Sequence, residues 1–230
     1  MPTRAGSLSD LRDRAATDAA GHPGDWLRLL HGDALPPDVP LLVLVHDGPR
    51  PPRGIEALGC AVACLDPSVH AHDTVEELTT RTRDSVSWLV DHPGLGHDAD
   101  RVVVVGHGTG AHLAAMVAVH DARPAGYALV SGRYDLTDDG RLDLQHVSPL
   151  HLLGASDAEC VVAWASDDTC TVRRQGQAWA ATWSITEWNR PATAVEATGR
   201  SHTDIVDDLF DPDTMLGAAV LAMLSRIRTT

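Results

Sequence analysis

The sequence is poor in several kinds of residue, and each shortage argues against a class of protein. Its 230 residues hold 18 Lys and Arg against 32 Asp and Glu, so the formal net charge is −14. A phosphate-binding surface needs concentrated cationic side chains, and this balance therefore argues against a nucleic-acid partner. No apolar run approaches the roughly 20 residues that cross a bilayer, and the polar, charged residues 1–20 do not resemble a signal peptide. We predict a cytoplasmic protein with no membrane partner.

Cysteine and two of the aromatic residues are also scarce. The four cysteines show neither C-x-x-C nor the Cys/His spacing of a zinc site, so we predict no metal and treat them as small buried hydrophobes. The glycines of residues 106–110 resemble those of a phosphate loop but lack its Gly-Lys-Ser/Thr ending, and we predict no cofactor. Phe occurs once and Tyr twice, whereas Trp occurs six times.

Apolar runs alternate with amphipathic stretches along the chain. The continuous apolar run 41–45 is typical of a strand buried on both faces. Further strands are predicted at 61–65, 101–105, 126–131, 160–165 and 193–197. Helical spacing is found over 74–92, from 109 to about 120, over 173–184 and over 214–227. The alternation predicts one α/β domain over residues 1–230, a mostly parallel sheet with helices on both faces. Residues 1–35 lack a firm pattern, and we interpret them as a helix followed by a loose lead-in.

The most informative segment is Val102–Met116, which has the layout of a strand, a sharp turn and a helix. Its Gly106-His107-Gly108-Thr109-Gly110 part has the spacing of a nucleophile elbow, G-x-S-x-G, in which a strained turn lifts a serine hydroxyl above the sheet. Gly108 stands at the serine position. The sequence therefore carries the frame of a serine hydrolase without the hydroxyl that attacks the substrate.

Polar residues follow four of the predicted strands, where sites form in open parallel sheets. One group is the elbow itself. The others are His46-Asp47-Gly48, Ser166-Asp167-Asp168-Thr169 and Gly199-Arg200-Ser201-His202. The chain order of nucleophile position, acid and histidine is the order of an α/β-hydrolase.

These segments carry a family resemblance. Residues 106–116 resemble the G-H-S-A-G-A-H-L-A-A-M elbow of kynurenine formamidases (arylformamidases) and their carboxylesterase relatives. Residues 131–136 and 147–150 are similar to the S-G-x-Y-D-L and S-P-L of that family, residues 168–175 to D-S-x-E-F-x-R-Q, and residues 199–205 to G-x-x-H-F-D-I. The resemblance runs from about Leu41 to Leu224. It implies the α/β-hydrolase fold and a small ester, amide or acyl substrate.

The chain departs from the family pattern at three places. Gly108 replaces the serine. His46-Asp47-Gly48-Pro49-Arg50 replaces H-G-G-x-W, which changes the oxyanion loop and a wall of the pocket. Thr171-Val172 and Thr203 replace the Glu-Phe and Phe of the family, so an aryl-specific pocket is less secure than the motifs suggest. The short segment between His46 and Cys64 also suggests a small or reduced cap.

Roles follow from position and from the resemblance. We predict that His202 is the catalytic base, and that Asp168 orients it, with Asp167 as the competitor for that role. The Thr109 backbone N–H is predicted to donate to the substrate oxyanion, with a second donor from the loop at Asp47 or Gly48, which His46 begins. His107 and His112 are expected to pack or to form hydrogen bonds, and Tyr134 and Asp135 to be structural.

Three functions remain open at this point. The first is a hydrolase in which serine is replaced by Gly108, so that substrate is held unreacted. The second is a natural catalyst that forms no acyl-enzyme and uses the His202–Asp168 dyad as a general base for direct hydrolysis, elimination or cyclisation. The third is a non-catalytic pseudo-hydrolase that only binds. The sequence also leaves a homodimer open.

Overall fold

The computed structural model describes residues 12–14, 26–31, 39–46, 52–55, 58–92, 97–121, 123–185 and 192–229. Within these ranges eight strands form one sheet, in the spatial order β1-β2-β4-β3-β5-β6-β7-β8. The strands are β1 (Arg12–Arg14), β2 (Leu27–His31), β3 (Val39–Val45), β4 (Ala61–Leu65), β5 (His97–His107), β6 (Gly126–Val130), β7 (Glu159–Ala165) and β8 (Thr193–Ala197). The longer helices are α1 (Val75–Asp91), α2 (Thr109–Ala118), α3 (Cys170–Ile185) and α4 (Met215–Thr229).

The predicted fold class is confirmed: all pairings among β3 to β8 are parallel. β3 is buried along its whole length because its residues face apolar layers on both sides. Leu41 and Val43 pack in the layer that includes α1, α2 and α3, whereas Leu42 and Leu44 pack in the layer that includes α4. Helices therefore cover both faces of the sheet, as the continuous apolar runs predict.

The interpretation of residues 1–35 as a helix and a lead-in is wrong where the structure describes that segment. β2 pairs antiparallel with β4, and β1 pairs antiparallel with β2. The strand β2 forms because apolar and polar residues alternate there: Leu27 and Leu29 are buried, and Arg28 between them is exposed. This period-2 pattern extends the sheet by an edge that the sequence reading missed.

The segment that follows β6 is folded into short helical turns. Three 3₁₀ helices lie at Thr137–Asp139, Leu142–Val147 and Pro149–His151. The predicted short cap between His46 and Cys64 falls partly outside the described residues, which leave out 47–51 and 56–57. Among the helices that are described, none is long and apolar enough to span a membrane.

The register of the sheet brings the predicted site segments to one edge. Val45 at the end of β3 pairs with Gly106 of β5, and Val130 at the end of β6 pairs with His107. β7 and β8 end side by side, with Ala165 opposite Ala197. The residues that follow β3, β5, β6, β7 and β8 therefore all leave the sheet at its carboxyl edge.

Candidate active site

The turn between β5 and α2 has the backbone conformation of an elbow. Gly108 has φ 56° and ψ −119°, a backbone conformation that residues other than glycine rarely adopt. Its N–H donates to the Val130 carbonyl at 2.9 Å. Gly110 lies so close to the Val45 carbonyl that any Cβ there would overlap it, which holds the start of α2 against the end of β3. The turn therefore has the elbow conformation, with a glycine at its apex.

The space above Gly108 faces the imidazole of His202. An ideal Cβ built on Gly108 would lie 3.3 Å from His202 Nε2 and 3.9 Å from Cε1. Apart from the adjoining chain, those two atoms are the only neighbours of that point within 4 Å among the described residues. A hydroxyl or a water oxygen at this place would be within hydrogen-bond reach of Nε2.

The other ring nitrogen of His202 is bonded to a buried carboxylate. His202 Nδ1 lies 2.7 Å from Asp168 Oδ1, and the Asp168 side chain is 1% exposed against 47% for His202. Asp168 Oδ2 accepts from the Ser131 hydroxyl at 2.6 Å and from the Ala165 N–H at 2.8 Å. All three donors fix the carboxylate before a substrate arrives.

The charge of Asp168 determines which ring nitrogen of His202 carries a proton. Burial raises the pKa of Asp168, but the hydrogen bonds from His202, Ser131 and the Ala165 N–H outweigh it, so the net pKa is lowered. A carboxylate can only accept, and His202 Nδ1 therefore carries the proton. In the neutral ring, the Nε2 lone pair then faces the space above Gly108.

Asp167, the acid next to Asp168, forms its hydrogen bonds with other residues. Asp167 is exposed, its backbone N–H donates to the Arg200 carbonyl at 3.2 Å, and its carboxylate accepts from Ser166 Oγ at 3.1 Å. Of the two adjacent acids, the geometry thus pairs His202 with Asp168.

Two further histidines of the elbow form hydrogen bonds to backbone carbonyls. His107 Nε2 lies 2.7 Å from the carbonyl oxygen of His202, and the two rings are 4.8 Å apart. His112 Nδ1 lies 2.7 Å from the Arg133 carbonyl, and burial lowers the pKa of His112 more than this hydrogen bond raises it. His107 at the end of β5 thus holds the loop that bears His202, and His112 on α2 holds the loop that bears Arg133.

The predicted oxyanion donors are only partly described. Thr109 is the first residue of α2, where a backbone N–H has no partner within the helix. His46 donates its N–H to the Leu65 carbonyl at 3.1 Å, and its ring lies 5.9 Å from that of His107. Asp47 and Gly48 lie outside the described residues, and the second donor stays a prediction.

Two residues that position this region were missed by the sequence reading. Ser131 directly follows β6 and has φ 52°, and its hydroxyl reaches Asp168. Gln175, fully buried on α3, accepts from the N–H groups of Tyr134 and Asp135 at 2.6 and 3.0 Å and donates to the Asp135 carbonyl at 2.7 Å. Both residues belong to the segments that resemble family motifs, so the resemblance could have singled them out. A motif does not show which groups a side chain contacts.

A cleft of about 530 Å³ opens beside the imidazole. His202, Asp168 and Asp167 line it together with Arg133, Thr169, Thr171 and Val172. A larger cavity of about 750 Å³ is lined by residues 53, 54 and 58 together with residues of the segment from 200 to 221, and neither His202 nor Asp168 lines it. No group of side chains suited to a metal ion occurs in the described ranges.

The fold and the site geometry define the class: this chain has the α/β-hydrolase fold. An overlay on a protein assigned as a thioesterase from Silicibacter sp. has a TM-score of 0.69 at 21% identity, covering 93% of this chain and 87% of that one. A thermostable carboxylesterase from a metagenomic library gives a TM-score of 0.65 at 18% identity, covering 88% and 83%. An esterase of Pyrobaculum calidifontis gives 0.65 at 17%, covering 88% and 80%.

In sequence, the chain resembles a kynurenine formamidase. It is 25% identical over 222 residues to the kynurenine formamidase of Salmo salar, which covers 82% of this chain and 74% of that protein. The predicted resemblance is thereby confirmed. No protein-family profile matches the chain.

Proposed function

We propose that this protein hydrolyses a small ester, amide or other acyl compound by means of a water molecule that His202 activates, without a covalent acyl-enzyme. One observation carries the proposal: an imidazole oriented by a buried carboxylate points its Nε2 at a bend that bears no side chain. General-base catalysis needs a base within hydrogen-bond reach of the proton it removes. The space above Gly108 offers a water oxygen such a position.

The reaction balances with the groups present. The water oxygen forms a bond to the acyl carbon while His202 Nε2 takes the water proton, and Asp168 stabilises the resulting imidazolium. The tetrahedral oxyanion accepts from the N–H of Thr109. The bond to the leaving group then breaks, the imidazolium returns its proton to the leaving oxygen or nitrogen, and an acid and an alcohol or amine are released.

The same geometry favours a second candidate, a serine hydrolase in which glycine has replaced the nucleophile and substrate is retained. A Cβ on Gly108 would contact only the end of the His202 ring, so a serine side chain fits after a shift of a few tenths of an ångström. The elbow conformation at Gly108 is the one that such a serine requires.

A binding protein without catalysis is the third candidate. Nothing in mere binding requires three donors on one buried carboxylate, and the hydrogen-bonded His202–Asp168 pair therefore favours a catalyst. The missing hydroxyl is the observation in favour of binding alone.

Removal of the base separates these candidates. The hydrolysis of p-nitrophenyl acetate and of formanilide is measured for the unmodified chain and for His202→Ala, with His146→Ala as control because His146 is exposed and pairs with Glu76. We expect His202→Ala to lower kcat/KM about 10²–10⁴-fold, and His146→Ala to leave it unchanged. Equal turnover by His202→Ala and the unmodified chain would exclude the proposal.

The absence of an acyl-enzyme has its own signature. Only a route through a covalent acyl-enzyme gives a burst of nitrophenol at the start of the reaction, and direct attack by water does not. We expect linear release without a burst. A stoichiometric burst from the unmodified chain would contradict attack by water.

A further inference from the structure

Ser131, whose hydroxyl donates to Asp168, has a strained backbone conformation. With φ at 52°, it is the one residue other than glycine with a positive φ among the described residues. A side chain makes this conformation unfavourable, and it persists only where the surrounding structure fixes it. On the side of the sheet, the Ser131 N–H donates to the Ala163 carbonyl at 2.8 Å. The contacts of the chain after Ser131 must fix the other side of the turn.

One side chain of α3 holds the main chain that follows Ser131. Gln175, which is fully buried, accepts from the N–H groups of Tyr134 and Asp135 at 2.6 and 3.0 Å. Its amide nitrogen donates to the Asp135 carbonyl at 2.7 Å and to Asp138 Oδ2 at 2.6 Å. An amide oxygen accepts twice and an amide nitrogen donates twice, so the whole hydrogen-bonding capacity of Gln175 is used on this segment.

The two residues between Ser131 and Tyr134 are themselves tightly held. Gly132 lies so close to α2 and to the Tyr134 ring that a Cβ there would come within 2.8 Å of each. The carbonyl oxygen of Arg133 accepts from His112 Nδ1 at 2.7 Å. Because a close-packed segment transmits a displacement, a shift of the Tyr134 main chain would reach Ser131.

We propose that Gln175 is a positioning residue for the proposed reaction: it holds the strained turn so that the Ser131 hydroxyl reaches Asp168. Without Gln175 the turn relaxes towards negative φ, and the hydroxyl loses its 2.6 Å hydrogen bond to Asp168 Oδ2. The carboxylate then keeps only its contacts with His202 and the Ala165 N–H, and it orients the imidazole less firmly. The kinetic consequence rests on the proposed function, whereas the effect on the hydrogen bond does not.

A double-variant cycle tests whether Gln175 acts through Ser131. The kcat of ester hydrolysis is measured for Gln175→Leu, for Ser131→Ala and for the chain with both changes. Each single change should lower kcat about threefold to tenfold. The double variant should lose at most about twofold more than either, because the hydroxyl contact can be lost only once.

Gln177→Leu is the matched control of this cycle, since Gln177 is an exposed glutamine of the same helix. Its kcat should equal that of the unmodified chain. Losses that multiply in the double variant, or an unchanged kcat in Gln175→Leu, would overturn the inference.

The proton on His202 Nδ1 gives a readout that needs no turnover. A proton in a short, charge-assisted hydrogen bond to a carboxylate resonates downfield of other N–H protons in a ¹H NMR spectrum. We expect this signal to broaden in Gln175→Leu and in Ser131→Ala alike, and to stay sharp in Gln177→Leu. A sharp signal at its original position in folded Gln175→Leu would show that Gln175 is only structural.

Gln175→Glu provides the test should Gln175→Leu not fold. The new carboxylate still accepts from the same two N–H groups, but it faces the carboxylate of Asp138, which Arg174 also contacts. Two carboxylates this close take up a proton readily, and that proton restores a donor between them. The broadening of the His202 signal, relative to the unmodified chain at the same pH, should therefore diminish from about pH 7 to about pH 5. Broadening of equal size at both pH values would contradict the inference.

Failure of this inference and failure of the proposed function give different results. If His202→Ala leaves hydrolysis unchanged while the His202 signal depends on Gln175, the hydrolase is excluded and the positioning role stands. If hydrolysis requires His202 while Gln175→Leu alters neither kcat nor the signal, the positioning role is excluded and the hydrolase stands.

Discussion

The two halves of the candidate site differ in their polar contacts. On one side, the ends of β6, β7 and β8 bring together Ser131, Asp168 and His202 in a continuous set of hydrogen bonds. On the other side, the turn at Gly108 has the elbow conformation and a close contact with β3, but Gly108 carries no hydroxyl. The half that holds His202 and Asp168 is complete in its hydrogen bonds, whereas the half at Gly108 offers only backbone.

The two halves also differ in what a substitution does to the folded chain. Removal of Asp168 or Ser131 leaves buried polar atoms without partners, which destabilises a fold by about 1–3 kcal/mol for each group. A side chain at position 108 would instead add the strain of a positive φ, about 1–3 kcal/mol, which glycine avoids. Folding therefore depends on the polar contacts of one half and favours glycine in the other.

Asp168→Asn breaks the complete half and has the largest expected effect. An asparagine cannot stabilise an imidazolium and favours the wrong tautomer of His202, so we expect kcat/KM to fall about 10³-fold. Ester hydrolysis is the measurement, and Asp143→Asn is the control because that exposed acid pairs with Arg141. A loss of less than threefold would show that Asp168 does not serve the base.

Gly108→Ser completes the other half. Since Nε2 is placed to accept the new hydroxyl proton, we expect about a 10²-fold rise in esterase activity and a burst of product. Gly108→Ala adds the same strain at positive φ without a hydroxyl, and it should give no gain. If both variants behave alike, the frame does not present a nucleophile.

Ser131→Ala sharpens the comparison by removing one donor from Asp168. The pKa of Asp168 should rise towards its ordinary value because one of the bonds that lowers it is gone. We expect a loss of up to about tenfold in kcat and about 1 kcal/mol in unfolding free energy. Kinetics and chemical denaturation measure these two losses.

The smallest effect is a dependence of stability on pH. The pKa of Asp168 is lowered on folding, so its contribution is present above the unfolded pKa of about 4 and is lost as pH falls through the lower folded value. The unfolding free energies of the unmodified chain and Asp168→Asn should differ by about 1–3 kcal/mol at pH 7. This gap should narrow below about pH 4; a gap that widens in acid would mean that the pKa of Asp168 is raised.

The sequence was sufficient for the parts of the fold with strong periodic signals. A continuous apolar run located β3, which is buried along its whole length, because a parallel strand buried on both faces has little room for polar residues. β2 was not predicted because its alternation of apolar and polar residues covers too few positions to be distinguished from a chance pattern. The order of the site segments along the chain predicted which loops meet, since parallel strands end at one edge.

Contacts between side chains lay beyond the reach of sequence. Asp167 and Asp168 are identical in type, and only the direction in which each leaves β7 decides which one meets His202. Arg133 occupies a variable position of its motif, and its presence in the cleft depends on how the loop after β6 turns. Such choices are set by three-dimensional packing and have no periodic signature.

The hydrogen bond between the His107 ring and the main chain of His202 has a practical consequence. The loop that bears His202 is anchored from β5 through its backbone, so its position does not depend on the side chain at 202. Truncation at that position should therefore leave a ring-shaped hole in an otherwise unmoved site. Free imidazole supplied in the buffer could occupy this hole and restore chemistry from outside the polypeptide.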